Sequence, residues 1–166
     1  MTPSDRRLCH LRRSVHLAEP IDQVFAFFAD AANLQRMTPP WLDFRIVTPP
    51  PIRMCEGALI DYRLKVRGLP MRWRTRIDAW EPPYRFADTQ VRGPYSVWMH
   101  EHRFEPAPDG GAYCHDHVRY RVPGGPLAPL LHRLWVRRDV EAIFDYRTRQ
   151  LAKLFSARDD DARTAA

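Results

Sequence analysis

Cysteine is scarce in this chain, and the few cysteines form no recognisable pattern. Cys9, Cys55 and Cys114 are odd in number and widely spaced, and no CxxC pair occurs. Such usage argues against a disulfide framework. Proteins without disulfides are typical of reducing compartments, so we expect a cytoplasmic location.

Long apolar runs are absent as well. No segment approaches the roughly 20 apolar residues that a membrane helix needs, so stable membrane insertion is not expected. The first residues, MTPSDRRLCH, lack the apolar stretch of a secretory signal. The sequence also contains no zinc finger, phosphate-binding loop or RNA-binding aromatic motif.

The composition is that of a folded domain with a basic balance. With 166 residues and 45% apolar content, the chain is long enough to bury a sizeable core. We expect one ligand-binding domain over residues 1–166, with an ordered core at about 8–156 and a polar tail at 157–166. Nothing in the sequence indicates an oligomeric state.

The net charge of +6 allows nucleic acid or acidic lipid as a partner, but the basic residues are dispersed. Several of them alternate with apolar residues, which is typical of the solvated outer face of a sheet. These are Arg63, Lys65, Arg67, Arg72, Arg74 and Arg76. We therefore expect no nucleic-acid partner.

The order of predicted elements indicates an α+β fold. Leu8–Leu17 is a predicted strand, followed by a short helix that begins near Pro20 and a second one capped by Asp30. Six more strands are predicted at Phe44–Thr48, Ala58–Arg67, Met71–Trp80, Phe86–Gln90, Ser96–Phe104 and Tyr113–Val122. The short turns between them favour an antiparallel meander, giving a curved seven-stranded sheet.

From about Leu127 to Phe155 the apolar period becomes helical, which predicts one long C-terminal helix. Its apolar stripe consists of Leu130, Leu134, Val140, Ile143, Phe144, Leu151 and Leu154. The sheet is expected to wrap around this helix, with the two short helices between the first and second strands.

One predicted sheet face is unusually polar for a core. Read with a period of two, it carries Phe86, Asp88, Gln90, Ser96, Trp98, His100, His102 and Phe104. Burying such polar groups unpaired costs roughly 1–3 kcal/mol each. The pattern therefore favours the wall of a ligand cavity over a solid core.

The loop between the last two strands decides whether four histidines meet. A two-residue loop at Asp109-Gly110 pairs His102 with His117 and gathers His100, His102, His115 and His117 into a metal site. A five-residue loop, Ala107–Gly111, pairs His102 with Asp116 and Trp98 with Tyr120.

The one-residue slip between these registers decides what is buried. The shorter loop turns Arg119 and Arg121 inward, and burying charge is the larger cost. We therefore favour the longer loop and expect no metal site and no cofactor.

Two interior polar features leave alternatives open. His102 and Asp116 form either an acid–base pair or a satisfied polar pair that supports the cavity wall. Arg147 lies on the apolar stripe, four residues from both Ile143 and Leu151. It either snorkels outward, pairs with an interior aspartate, or meets a ligand carboxylate.

Several segments resemble the START/SRPBCC superfamily. SVHLAEPIDQVF at 14–25 and the run from Asn33 to Trp41 are similar to its first strand, helix and following loop. Gly93-Pro-Tyr95, Trp98-x-His100-x-His102-x-Phe104 and Phe144-x-Tyr146-Arg147 resemble segments of its bacterial polyketide cyclase/dehydrase-like, coenzyme-Q-binding-like group. The resemblance covers roughly residues 8–155 and implies a helix-grip fold with a deep apolar cavity.

Three classes of function follow as hypotheses. The first is binding of a hydrophobic small molecule such as a lipid, quinone or polyketide. Its predicted ligand-binding residues are Tyr62, Trp73, Asp88, Gln90, Trp98, His100, Phe104, Tyr120, Phe144 and Arg147. The second is a cyclase or dehydratase in which His102 and Asp116 are catalytic. The third is an interaction or chaperone-like module that presents Trp41.

Overall fold

A seven-stranded antiparallel sheet and a long C-terminal helix dominate the architecture. The computed structural model describes residues 8–164, with side chains as far as residue 156. The strands are β1 (Cys9–Leu17), β2 (Arg45–Ile46), β3 (Leu59–Val66), β4 (Leu69–Glu81), β5 (Arg85–Arg92), β6 (Val97–Pro106) and β7 (Ala112–Arg121). Their order in the sheet is β1-β7-β6-β5-β4-β3-β2, so the first strand joins the end of an antiparallel meander. The predicted fold class is confirmed.

Two short helices lie between β1 and β2, as predicted. Helix α1 (Ile21–Ala29) follows Pro20 and buries Val24, Phe25, Phe27 and Phe28. Helix α2 (Asn33–Arg36) has Ala32 as its N-cap and no side-chain cap, so the predicted capping by Asp30 is wrong. Asp30 Oδ1 instead accepts a hydrogen bond from the Ala32 amide at 2.9 Å in the preceding turn. The apolar face of α1 packs on strand residues Phe86 and Phe104.

The C-terminal helix differs from the prediction in its first part. Helix α3 (Ala128–Leu131) passes through a π-helical segment (His132–Val136) into α4 (Arg137–Thr164). Two residues of the predicted stripe, Leu130 and Leu134, are 50% and 45% exposed. The wider π turn changes the helical phase, so residues before and within it no longer share the face of Val140 and Phe144.

The helix also continues past its predicted end near Phe155. Residues 157–164 contain no proline or glycine, so nothing in the sequence stops the helix there. The last part of the predicted polar tail, residues 165–166, lies outside the described residues. Within the described part of the chain, no helix has the length and apolar content to span a membrane.

The register of β6 and β7 is the one that the longer loop predicts. His102 lies opposite Asp116 and Trp98 opposite Tyr120. The loop is closed by a 2.8 Å hydrogen bond from the Ala107 amide to the Gly111 carbonyl.

The outer face of the sheet is accordingly basic and separate from the interior. His115 bonds Ser14 at 2.8 Å and His117 bonds His10 at 3.1 Å, both on the solvent side. The four-histidine cluster is therefore not formed. The alternating basic residues of β3 and β4 are exposed as predicted: Arg63, Lys65, Arg72, Arg74 and Arg76.

Candidate functional site

A cavity of about 480 Å³ lies between the inner face of the sheet and α4. Most of its wall is apolar. Side chains from α1, β3, β4 and α4 supply this wall, among them Phe28, Ile60, Leu64, Ile77 and Ile143. Alternation along β3 and β4 places these apolar residues inside and the arginines of the same strands outside.

Most of the predicted site residues line this cavity. They are Tyr62, Trp73, Asp88, Trp98, His100, His102, Phe144 and Arg147. Sequence reasoning missed others, notably Phe28 on the apolar face of α1 and Thr75 on the inner face of β4. The helical spacing of Phe28 and the two-residue alternation of Trp73, Thr75 and Ile77 are the signals that point to them.

Four predicted residues lie elsewhere. Gln90 does not line the cavity, because its amide donates to the Tyr95 carbonyl at 2.7 Å and accepts from the Tyr95 amide at 3.2 Å. Phe104 is 1% exposed and belongs to the aromatic core beneath α1. Tyr120 packs behind Trp98 and its hydroxyl meets His132 Nε2 at 2.9 Å. Asp116 lies behind the two cavity histidines.

Five side chains, Asp88, His100, His102, Asp116 and Arg147, form what we call the polar cluster. His100 Nε2 donates a 3.0 Å hydrogen bond to Asp116 Oδ1. His102 Nδ1 approaches the same oxygen at 2.8 Å, but out of line for a hydrogen bond. Arg147 Nε lies 3.3 Å from the other oxygen, Asp116 Oδ2. Asp116 is therefore the centre of the cluster.

Asp88 closes the cluster on its other side. Its Oδ2 lies 3.8 Å from His100 Nδ1 and 3.8 Å from His102 Nε2. Its Oδ1 accepts a 2.8 Å hydrogen bond from the Thr75 hydroxyl. Each imidazole thus has one nitrogen toward Asp116 and the other toward Asp88.

Aromatic packing fixes the orientation of the polar cluster. The His102 ring stacks on Phe86 with centroids 4.0 Å apart, and the His100 ring lies 3.8 Å from His102. The Arg147 guanidinium carbon lies 5.3 Å from the centre of the Phe28 ring, within cation–π range. These contacts restrict the rotamers of side chains that face a cavity.

Burial and neighbouring charges shift the pKa values of the two carboxylic acids of the polar cluster in opposite directions. Burial raises the pKa of Asp88 above the ordinary carboxyl value. Burial acts the same way on Asp116, but the Arg147 charge and the two histidines outweigh it and hold its pKa well below that value. Asp116 is thus an ionised group, whereas Asp88 takes up a proton more readily. A pair of carboxyls divided in this way is suited to acid–base chemistry.

His102, which lies beside the two carboxyl groups, is a neutral imidazole. Burial, with a smaller contribution from the neighbouring His100, lowers the pKa of His102 to about 3. Burial and the nearby Asp88 carboxylate raise the pKa of Tyr62 well above that of a free phenol. Near neutral pH the cavity therefore presents a neutral imidazole and a neutral phenol.

The cavity opens where the β3–β4 turn approaches α4. There Arg67 forms a bidentate pair with Asp139, at 2.8 and 2.9 Å. Trp41 is 55% exposed and its ring contacts Tyr146 edge-on at 5.5 Å. Trp41 is thus part of the cavity mouth.

Comparison with known proteins relates the chain to one family. The sequence model of the family described as polyketide cyclase / dehydrase and lipid transport matches residues 17–145, more than half of the chain. Among curated proteins, none matches the sequence.

Several solved structures share the fold. The Zhui aromatase/cyclase from Streptomyces sp. R1128 has a TM-score of 0.73 at 18% identity, covering 91% of this chain and 95% of that chain. The di-domain ARO/CYC StfQ from the steffimycin biosynthetic pathway has a TM-score of 0.73 at 14% identity. That match covers 95% of this chain and 54% of StfQ, so the chain spans about half the length of StfQ. Protein Ms6760 from Mycobacterium smegmatis has a TM-score of 0.66 at 18% identity, covering 89% of this chain and 91% of that chain.

Proposed function

The chain belongs to the polyketide cyclase/dehydrase and lipid transport family, and from this premise we propose that it binds a hydrophobic small molecule with a polar end. The ligand occupies the cavity between the sheet and α4. Its apolar body contacts the apolar wall, and its polar end meets the polar cluster. Lipids, quinones and polyketides have this chemistry.

The observation that carries the proposal is the division of the cavity wall. A volume of about 480 Å³ suits a small organic ligand, since such sites range over about 300–1,000 Å³. Trp73 and Trp98 offer ring faces to an aromatic or unsaturated body. The polar groups of the cavity wall are concentrated in the polar cluster and beside it, at the Thr75 and Tyr62 hydroxyls, so a ligand carbonyl or hydroxyl is oriented toward them.

Native mass spectrometry of the freshly purified protein tests the proposal directly. We expect a chain mass increased by that of a co-purifying small molecule, which organic extraction then releases. A chain that carries no such molecule and also fails to take up an apolar probe contradicts the proposal.

Narrowing the cavity mouth is expected to weaken ligand binding. Ala142 lies on α4 at the mouth, and an indole there obstructs entry. We expect Ala142→Trp to bind 1-anilinonaphthalene-8-sulfonate roughly tenfold more weakly, about 1.4 kcal/mol, by fluorescence titration. Ala152→Trp is the matched control, because Ala152 is exposed on the same helix and away from the cavity. Equal weakening in both variants contradicts the proposal.

A cyclase or dehydratase is the second candidate, and the polar cluster favours it. Cyclisation of a polyketide followed by loss of water needs a group that removes a proton and one that donates a proton to the departing hydroxyl. His100 and His102 lie beside Asp88 in the cavity wall, and Asp116 orients His100 through a hydrogen bond. Arg147 also lines the cavity and offers positive charge to an enolate oxygen.

The enzymatic candidate is tested with a linear poly-β-ketone thioester surrogate. Cyclisation with dehydration is followed by mass spectrometry as the loss of one water. We expect His102→Gln to lower turnover at least about 100-fold, because general acid–base groups contribute this much or more. His115→Gln, on the outer face of the neighbouring strand, is the control. Retained turnover in His102→Gln removes His102 from the mechanism.

A further inference from the structure

We propose that Asp88, His100 and His102 bind a divalent transition-metal ion, of the Zn²⁺ or Fe²⁺ class, in the cavity wall. The ion is ligated by Asp88 Oδ2, His100 Nδ1 and His102 Nε2. The inference goes beyond ligand binding and does not depend on it, since the ion can be titrated with the cavity otherwise free.

The three ligand atoms converge on one point. His100 Nδ1 and His102 Nε2 each lie 3.8 Å from Asp88 Oδ2. One ligand atom from each residue lies within 4.8 Å of the other two. An ion with bonds of about 2.1 Å joins atoms up to about 4 Å apart, so a small inward rotation of the side chains closes the set.

The facing atoms are otherwise unused. Among the described side chains, none donates to or accepts from Asp88 Oδ2, His100 Nδ1 or His102 Nε2 in a hydrogen bond. In the neutral tautomer of His100 that donates from Nε2 to Asp116, Nδ1 presents a lone pair to the Asp88 carboxylate. Two electron-rich atoms facing each other in a buried site favour a cation between them.

The surrounding groups hold the ligands as metal sites require. Asp116 Oδ1 receives the hydrogen bond from His100 Nε2 and lies 2.8 Å from His102 Nδ1. Thr75 donates to the Asp88 oxygen that does not face the histidines. Histidine ligands in metalloproteins commonly donate from their second nitrogen to a carboxylate or carbonyl, as His100 does, and ligating carboxylates are themselves hydrogen-bonded, as Asp88 is.

Charge balance permits the ion. The polar cluster combines two carboxylates, Asp88 and Asp116, with the single guanidinium of Arg147. Arg147 Nε faces Asp116 Oδ2, whereas the histidines face Asp116 Oδ1. With neutral imidazoles and both acids ionised, these groups carry one net negative charge, so a divalent cation is attracted to the cluster and changes its net charge to +1.

Three protein ligands leave coordination positions open toward the cavity. Two histidines and one carboxylate with open positions are typical of catalytic zinc and non-haem iron sites, whereas structural zinc sites have four protein ligands. The sequence predicted no metal site, but that prediction weighed only the four-histidine set, of which His115 and His117 lie on the outer face. The β5–β6 pairing of Asp88 with His100 creates the new set.

Zinc titration of the full chain tests the proposal. After treatment with a chelator, calorimetric titration with Zn²⁺ is expected to give one ion bound per chain. We expect Asp88→Asn and His102→Gln to weaken binding roughly 100-fold or more. Thr75→Val keeps every ligand and removes the hydrogen bond to Asp88, so a loss of about 10–100-fold is expected.

The control is the outer histidine pair, His10 and His117, whose rings also lie in contact. We expect His117→Ala to leave one zinc bound with unchanged affinity. Loss of binding in His117→Ala but not in Asp88→Asn overturns the proposal, as does a wild-type chain that binds no ion. Far-ultraviolet circular dichroism identifies any variant that fails to fold. If His102→Gln fails to fold, the nearly isosteric Asp88→Asn variant still tests the proposal.

A cobalt-substituted chain reports the ligand type independently of affinity. We expect visible d–d absorption without thiolate-to-cobalt charge transfer, because the site contains no cysteine. A thiolate band places the ion on a cysteine and overturns the assignment. Failure of the metal titration leaves the dye-binding comparison of Ala142→Trp and Ala152→Trp unaffected, so the two proposals fail separately.

Discussion

Replacing Arg147 with methionine is expected to lower the free energy of unfolding by about 3–5 kcal/mol. Arg147 is only 7% exposed, and its Nε lies 3.3 Å from Asp116 Oδ2. Removing the guanidinium leaves the Asp116 carboxylate buried without its positive neighbour, and an uncompensated buried charge is costly. Methionine retains much of the apolar stem, so lost packing contributes little. Chemical denaturation followed by circular dichroism measures the change.

Two variants separate the charge effect from other causes. Arg149→Met is the control, because Arg149 is exposed on the same helix, and we expect a change within about 0.5 kcal/mol. Arg147→Met combined with Asp116→Asn removes both charges and is expected to recover part of the stability. If Arg147→Met costs less than 1 kcal/mol, or if the double variant is no more stable, the charge of Asp116 is not what Arg147 compensates.

The centre of the polar cluster was predictable because a single register choice controls it. The pairing of His102 with Asp116 was predicted because the alternative register buries the charges of Arg119 and Arg121, and the structure has the predicted pairing. Because side chains alternate strictly along a strand, that one choice fixes the face of every residue in β7. The spacing to Ile143 and Leu151 places Arg147 on the apolar stripe of the helix but left an outward, snorkelling side chain possible, and in the structure Arg147 pairs with Asp116.

The depth of a residue within the cavity was not predictable from alternation. Trp98 and Phe104 share one face of β6, yet Trp98 lines the cavity and Phe104 is covered by α1. Alternation assigns a face, whereas sheet curvature and helix placement decide whether that face meets empty space or another side chain. Alternation also does not reveal side chains that bond a nearby turn. The Gln90 side-chain amide donates to the Tyr95 carbonyl, and Gln90 does not line the cavity.

The convergence of Asp88 on the histidines also required the structure. It depends on the pairing of Asp88 with His100, and the β5–β6 pairing ends at Thr89 and Met99, which leaves the nine residues 90–98 between the last paired positions. A short hairpin loop determines its register through its length, but a longer loop does not. The exposure of Leu130 and Leu134 has a similar origin, because no residue pattern marks the π turn at His132–Val136.

Replacing Phe104 with alanine is expected to lower the free energy of unfolding by about 3–5 kcal/mol without weakening ligand binding. Phe104 is 1% exposed and its ring lies 5.4 Å from that of Phe25 and 5.0 Å from that of Phe28. Truncation removes these contacts and leaves a void in a closely packed aromatic cluster. Denaturant unfolding measures the loss, and titration with 1-anilinonaphthalene-8-sulfonate measures binding under folding conditions.

Trp98→Ala is the matched comparison, because Trp98 lies on the same strand and the same face. Its ring already borders the cavity, so its removal is expected to cost less stability than that of Phe104 and to weaken dye binding several-fold. If Phe104→Ala weakens dye binding while Trp98→Ala leaves it unchanged, the cavity extends toward α1 and away from the polar cluster. The two residues thus separate the part of this strand that stabilises the fold from the part that faces a ligand.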